Sequence, residues 1–495
     1  MVKRQRRDST ETPVNKGENE QQLEARKINA STPYETCREP LSAFGGVLAL
    51  IKFLDLVEME KIIESCYTKP ERETKLGHYK MLIGILVLLF VGFNRIGHFF
   101  YIRYDALVCR FFQVVCLPVV STFWRYVNSM GLNQGSSLLR VISVLRERAW
   151  QQCGIVYEQI DVDIDTTVET VYGEQQGARV GHNPRNRGKK GYRPIVAFIA
   201  QTREYIAGKL RKGATVSGEE TARFTEQISR QLPGCVKRVL VRADSEFFSW
   251  ESIKALMELC WDFIISAKSC NPPFDPQGWY CPVKAEAIEY NECVYAPIGW
   301  QKAMRFVAMR IPKHTEEKGK AVQLELFEDD RYKYRMFCTS RRGRPHSVIA
   351  EYDKRADVEN LIGEAKREGL EAIPSKKFKN NYAWFQLVML SYNIWRYIKM
   401  LAEKSSAGQQ QTKTDTASDG FQDIVDNTIR IARLKLLYLA AKTPFHNNHT
   451  TVKYSVHDMR TPGLMRLLSF LDEARSKAKA WLNGGWRCRF TLNTA

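Results

Sequence analysis

Ile160-Asp161-Val162-Asp163-Ile164-Asp165-Thr166-Thr167 is where the chain changes character. Apolar residues and carboxylates alternate with period two, the repeat of a half-buried strand, so Asp161, Asp163 and Asp165 share one face while Ile160, Val162 and Ile164 share the other. Carboxylates repeated along a sheet face are costly unless water or a cation neutralises them. Up to Cys153 the apolar spacing is helical, and beyond it strands and helices alternate. Strands are predicted near 193–201 and 204–211, then a helix from Ser217 to near Gln231. Val236 to Ala243 follows as a strand ending in Asp244, then a helix from Ser249 and the strand Phe263-Ile-Ile-Ser-Ala-Lys268. Three strands, helix, strand, helix, strand describes a mixed α/β sheet.

Outward from that core the chain divides readily. Residues 1–40 are polar and charged with a basic tip, as expected of a disordered arm. Residues 41–150 form an all-helical N-terminal domain. In it, Pro118 and the run Ser121-Thr-Phe-Trp-Arg-Tyr-Val127 predict a turn, an N-cap and a short helix, a candidate for DNA-end recognition. The catalytic α/β domain is expected over 151–403. A β-rich insertion from about residue 269 to 345, with Trp279 and Trp300, interrupts it, and either indole offers a surface on which a flipped base could stack. A Ser/Gln/Thr/Gly-rich linker is expected at 404–420 and a helical, then mixed, region at 421–495.

Composition narrows the function. The 495 residues hold 74 Lys and Arg against 55 Asp and Glu, a formal net charge of +19, so a polyanionic partner is expected, nucleic acid first. Arg179, His182, Arg185, Arg187, Lys189, Lys190 and Arg193, set among Gly181, Pro184, Gly188 and Gly191, form a loop suited to backbone phosphates. The 12 cysteines include no C-x-x-C pair, and Cys270, Cys281 and Cys293 are too far apart for a zinc ribbon, which fits reduced thiols in a cytoplasmic protein. His446 and His449 have no cysteine near them to complete a metal site. Met81 to Phe93 is apolar but falls short of the roughly 20 residues a bilayer needs, so no membrane partner is expected. No apolar stretch follows the basic N-terminal tip, which argues against a secretory signal. The absence of G-x-x-x-x-G-K-[ST] argues against a nucleotide cofactor.

The richest chemistry lies in Tyr352-Asp-Lys-Arg355-Ala-Asp-Val-Glu359-Asn-Leu-Ile-Gly-Glu-Ala-Lys366. On a regular helix Arg355, Glu359 and Lys366 fall within roughly 60° of Tyr352, a row of one carboxylate, two cations and a phenol along a cleft rim. Val358, Leu361, Ile362 and Ala365 form an adjoining apolar stripe. Asp165, Asp244 at the end of its strand, and Glu359 can converge where ligands sit in open α/β sheets. Three such carboxylates suit two divalent ions about 3.5–4 Å apart, acting on a phosphodiester.

At this point the chain resembles a known family. The spacing Tyr352-(2)-Arg355-(3)-Glu359-(6)-Lys366 is similar to the Y-R-E-K signature of bacterial insertion-sequence transposases of the DDE type. Asp165-Thr-Thr167 and Arg242-Ala-Asp244-Ser-Glu-Phe precede it in that family's order, and Tyr172-Gly173 and Gly177 to Asn183 look like one branch of it. The resemblance implies an RNase H-like catalytic core. It also implies Asp165, Asp244 and Glu359 as ligands of two Mg²⁺ ions, with Mn²⁺ as the alternative metal, and Tyr352, Arg355 and Lys366 gripping phosphates. Asp163 is the register alternative to Asp165, since both lie on the same strand face. The implied activity is DNA recombination: cleavage at element ends and transfer of the 3′-OH into target DNA by a homodimer or larger synaptic assembly on double-stranded DNA, in the bacterial cytoplasm. A stand-alone nuclease and a non-catalytic DNA-binding derivative compete with this reading. The intact carboxylates argue against the derivative.

Overall fold

A computed structural model describes residues 28–483, except 72, 182, 184–185, 214–215, 283–286, 313–330, 407–420, 422–423 and 448, with side chains given to residue 478. Residues 28–39 are described by themselves and hold one local turn, in which the Thr32 N–H donates to the Asn29 carbonyl at 3.0 Å. Most of the predicted arm, most of the predicted linker and part of the predicted insertion lie outside the described residues.

The centre of the rest is an eight-stranded mixed sheet, with strands β1 (Gln159–Thr166), β2 (Ile195–Ile199), β3 (Glu204–Lys209), β4 (Arg238–Ala243), β5 (Asp262–Ser266), β6 (Glu289–Tyr295), β7 (Met304–Pro312) and β8 (Tyr332–Thr339). Their spatial order is β6-β7-β8-β5-β4-β1-β2-β3. β1, β4 and β5 run parallel, while β2 and β3 continue antiparallel on one side. On the other side β8, β7 and β6 are added antiparallel to β5, so the strands of the predicted insertion extend the central sheet. Helices cross between β3 and β4 (Gly218–Ser229) and between β4 and β5 (Trp250–Glu258). They are N-capped by Ser217 and Ser249, whose hydroxyls each accept a backbone N–H at 3.2 Å.

The alternation in β1 sorts its faces as the sequence predicts. Ile160, Val162 and Ile164 are buried in the large core shared with the helices. The carboxylate face is roofed by the helix Pro345–Asp353, whose Val348, Ile349 and Tyr352 pack with Leu240, Ile264, Val307 and Phe337 in a second, smaller core.

Behind the sheet runs Phe378–Ser406, a 29-residue helix buried along almost its whole length. Its amides do the work a neighbouring strand would do for β3: Asn393 accepts from the Tyr205 N–H (2.9 Å) and donates to the Tyr205 carbonyl (2.8 Å), and Gln386 donates to Gly208 (3.0 Å). It packs on the helix Leu132–Cys153 at Gly135, where a Cβ would sit 2.4 Å from the Tyr382 ring. The apolar run from Met81 forms the buried part of the helix His78–Phe90, and Phe90 stacks on Trp395 at 4.1 Å. The predicted N-cap at Ser121 is corrected: the helix Val120–Ser129 begins directly after Pro118-Val119, and Ser121 lies on its exposed side. After the undescribed segment come the helix Ile429–Leu436, short strands, and the helix Thr461–Asn483. Among the described residues no helix is long and apolar enough to cross a membrane.

Candidate active site

The parallel pairing of β1 with β4 sets Asp163 beside Arg242 and Ile164 beside Ala243. Asp165 and Asp244 therefore emerge next to each other at the carboxyl ends of adjacent strands. Asp244 caps the short 3-10 turn Ser245–Phe247, accepting the Glu246 N–H at 3.0 Å. Asp165 accepts the Thr166 N–H at 2.7 Å, and its other oxygen meets Arg355 Nη2 at 3.2 Å. Burial pushes the Asp165 carboxyl up to about 6. Arg355 opposes that rise, while Asp244 and Glu359 reinforce it. Burial likewise raises Asp244, with Arg355 again opposing. Both aspartates thus face the same guanidinium, and Asp165 also feels the Glu359 charge. Glu359 itself is exposed. Among the described residues no three acidic, His or Cys side chains are close enough as they stand to hold a metal ion.

Asp163 has a different environment. At 2 % exposed it is bound by both arms of Arg242, itself 1 % exposed, at 2.7 and 2.9 Å, and the third Arg242 nitrogen donates to the Glu351 carbonyl at 2.9 Å. Every arm of that guanidinium is occupied by protein.

The segment from Tyr352 to Lys366 departs from the single regular helix expected. It runs as helix to Asp353, a 3-10 turn at Lys354–Ala356, helix again at Asp357–Ala365, and a π-turn at Lys366–Leu370 in which Gly369 has φ 121°. Tyr352 and Arg355 consequently point inward rather than along a rim. Tyr352 is 8 % exposed, its ring 4.5 Å from that of Phe337, and burial raises its phenol. Arg355 is 7 % exposed and also donates to the Ile164 carbonyl at 3.1 Å. Lys366 Nζ donates to the Val168 carbonyl at 2.9 Å, close to Glu169, a buried carboxyl pushed up to about 8.

The family model described as Transposase DDE domain group 1 matches residues 29–461. This chain belongs to that family. It is a DDE-type DNA transposase, an enzyme of DNA transposition. Divalent-metal dependence is general among DDE transposases. No curated protein matches the sequence. Among solved structures, the piggyBac transposase synaptic complex with hairpin DNA overlaps 79% of this chain and 82% of its own, at 12% identity and TM-score 0.37. The Mos1 transposase paired-end complex with left transposon end overlaps 40% and 60%, at 12% identity and TM-score 0.17. Neither likeness is close enough to place a residue.

In the transposase the basic loop is part of a small antiparallel sheet of Glu169–Thr170, Arg179–Val180 and Lys190–Tyr192. Arg179, Arg187, Lys189 and Lys190 are exposed, whereas His182 and Arg185 lie outside the described residues. Arg193 turns inward to Glu246 at 2.6 Å. Glu246 also accepts from Thr166 Oγ1 (2.9 Å) and the Val216 N–H (3.1 Å), so it ties the two aspartate-bearing strand ends together. The sequence pattern offered no sign of that role, nor of Arg242 as the partner of Asp163, because both depend on which strands become neighbours. Trp279 stacks on the Arg310 guanidinium (4.3 Å), and Trp300 packs against Phe248 (5.1 Å) and Trp250 (5.5 Å). Both indoles are partly buried and engaged with protein groups. His446 and His449 are paired on two short, exposed antiparallel strands.

Proposed function

We propose that Asp165, Asp244 and Glu359 are the catalytic carboxylates of an RNase H-like core made of β1–β5 and their two crossing helices. In this reading residues 151–403 form the catalytic domain, residues 41–150 and 421–495 bind and assemble DNA ends, and 1–40 and 404–420 are an arm and a linker. The observation that carries it is the pairing of Asp165 and Asp244 at adjacent parallel strand ends around one guanidinium, with Glu359 near enough to raise the Asp165 carboxyl. A partly desolvated set of carboxylates that repel one another is what a divalent cation relieves, so the donor set fits a metal. Asp165, Asp244 and Glu359 would hold two Mg²⁺ ions, or Mn²⁺ in their place. Bound there, the ions would activate the attacking oxygen and stabilise the leaving one in phosphodiester hydrolysis at the element ends and in transfer of the 3′-OH to target DNA.

The chain's own residues prepare that chemistry. Arg242 engages both oxygens of Asp163 and holds it out of the site, leaving Asp165 as the acceptor. Arg355 neutralises Asp165 and can turn to a phosphate, which it would bind bidentately, while Lys366 offers a point charge and Tyr352 a hydroxyl. Arg185, Arg187, Lys189, Lys190 and Arg193 would follow the backbone of double-stranded DNA, Arg193 after leaving Glu246. On the helix Val120–Ser129, Ser121, Trp124, Arg125 and Asn128 form an exposed face at helical spacing suited to the terminal sequence. A homodimer or larger synaptic assembly, acting in the cytoplasm at the nucleoid, completes the proposal.

The test is cleavage and strand transfer on duplexes bearing the element's own ends, with Mg²⁺ or EDTA, for wild type, Asp244→Ala and Glu359→Gln. Wild type should excise and join only with metal, and both variants should bind DNA while losing at least about 1,000-fold in rate. Cleavage that survives Glu359→Gln removes Glu359 from the site.

A further inference from the structure

The inward side of the segment from Tyr352 to Leu370 holds two carboxylates that the proposed chemistry does not use. Glu364 and Glu368 are one helical turn apart, buried, and each met by an arginine from another helix. Glu364 pairs with Arg396 of the long helix and accepts the Ile429 N–H at the start of Ile429–Leu436. Glu368, inside the π-turn two residues past Lys366, is gripped by both terminal nitrogens of Arg433. Arg433 reaches further: its Nε donates to the Phe90 carbonyl (2.9 Å) and Nη2 to that of Leu89 (3.4 Å), both at the carboxyl end of His78–Phe90. One guanidinium thus joins three segments that lie far apart in the sequence.

A buried ion pair is an inefficient source of stability, because desolvating both charges offsets most of their attraction and well-packed apolar residues often serve as well. What a forked pair adds is a fixed register. We propose that Ile429–Leu436 is a clamp on the catalytic segment, with Arg433 as the positioning residue that sets where Glu359 and Lys366 stand relative to the sheet. Through the same guanidinium it links the helical region to the active site. The clamp rests on the reading that Glu359 and Lys366 work on DNA.

Two changes to the full-length protein test it. Arg433→Lys keeps the charge and loses the fork. The double variant Glu368→Leu with Arg433→Leu replaces the pair by apolar packing and guards against a buried unpaired charge. Each is measured beside wild type and Glu359→Gln for thermal unfolding, amide hydrogen exchange, and turnover and KM on a duplex carrying the element's ends with Mg²⁺. Both variants should unfold near the wild-type temperature, and KM should change less than turnover. Turnover should fall about 10- to 100-fold, the size expected of a catalytic group displaced by about an ångström. Exchange should quicken across 357–370 and stay unchanged in Gln159–Thr166. Wild-type turnover in the double variant, or unaltered exchange over 357–370, overturns the clamp. If wild type itself does not cut, the functional reading fails, and the exchange data alone decide the clamp.

Discussion

Asp163 and Asp165 sit two residues apart on one strand face, yet one is locked to protein and the other is held by a single arm of Arg355. Their substitutions should therefore diverge. Asp163→Asn strips a buried arginine of its forked counter-charge, leaving only Asp161 at 3.9 Å, and should destabilise the protein by about 3–5 kcal/mol in urea unfolding. Asp165→Asn should leave the fold standing and abolish cleavage. Equal losses of stability in the two variants would refute the division of labour drawn between them. Sequence alternation placed all three carboxylates correctly on one face, because period two is a local property of the chain. It could not rank them, because the arginine that claims Asp163 comes from β4, 79 residues later.

The segment from Tyr352 to Lys366 is where periodicity misleads. Regular helical arithmetic lines Tyr352, Arg355, Glu359 and Lys366 along one rim, but the 3-10 turn at Lys354–Ala356 advances the chain by about 120° per residue instead of about 100°. Tyr352 and Arg355 face the sheet while Glu359 remains outside. Nothing local marks the break, since no proline or glycine stands there. It accompanies tertiary bonds from Arg355 to Asp165 and to the Ile164 carbonyl. The π-turn beyond it does have a local mark in Gly369, whose left-handed conformation costs a residue with a side chain about 1–2 kcal/mol. A Cβ there would also press on Asn94 at 3.3 Å and Leu89 at 3.4 Å. Gly369→Ala should lower the free energy of unfolding by at least about 1 kcal/mol. A variant as stable as wild type would mean that the turn relaxes freely.

At the scale of the whole molecule, charge is the property most legible from sequence and pairing the least. The net charge of +19 pointed to a polyanion before any strand was placed, and the exposed Arg187, Lys189 and Lys190 supply one stretch of that surface. Changing these three to Ala should reduce the slope of log K against log salt by up to about 2.7, about 0.9 per lost phosphate contact, with weakening alike on end and random DNA. An unchanged slope would move the DNA path elsewhere. The predicted β insertion could be read as strands, but not as the antiparallel flank of the central sheet, because strand composition does not name its neighbour. The same blindness covers the joint between Leu41–Ser42 and Ala441–Lys442, where Thr443 donates to the Pro40 carbonyl across 403 residues of sequence. That joint bears on the timing of synthesis. As the chain leaves the ribosome, the segment before the first helices must wait for nearly all that follows before it finds its partner. The strand at Leu41–Ser42 finds its partner only in Ala441–Lys442, and a nascent transposase stays open-edged until that segment has emerged.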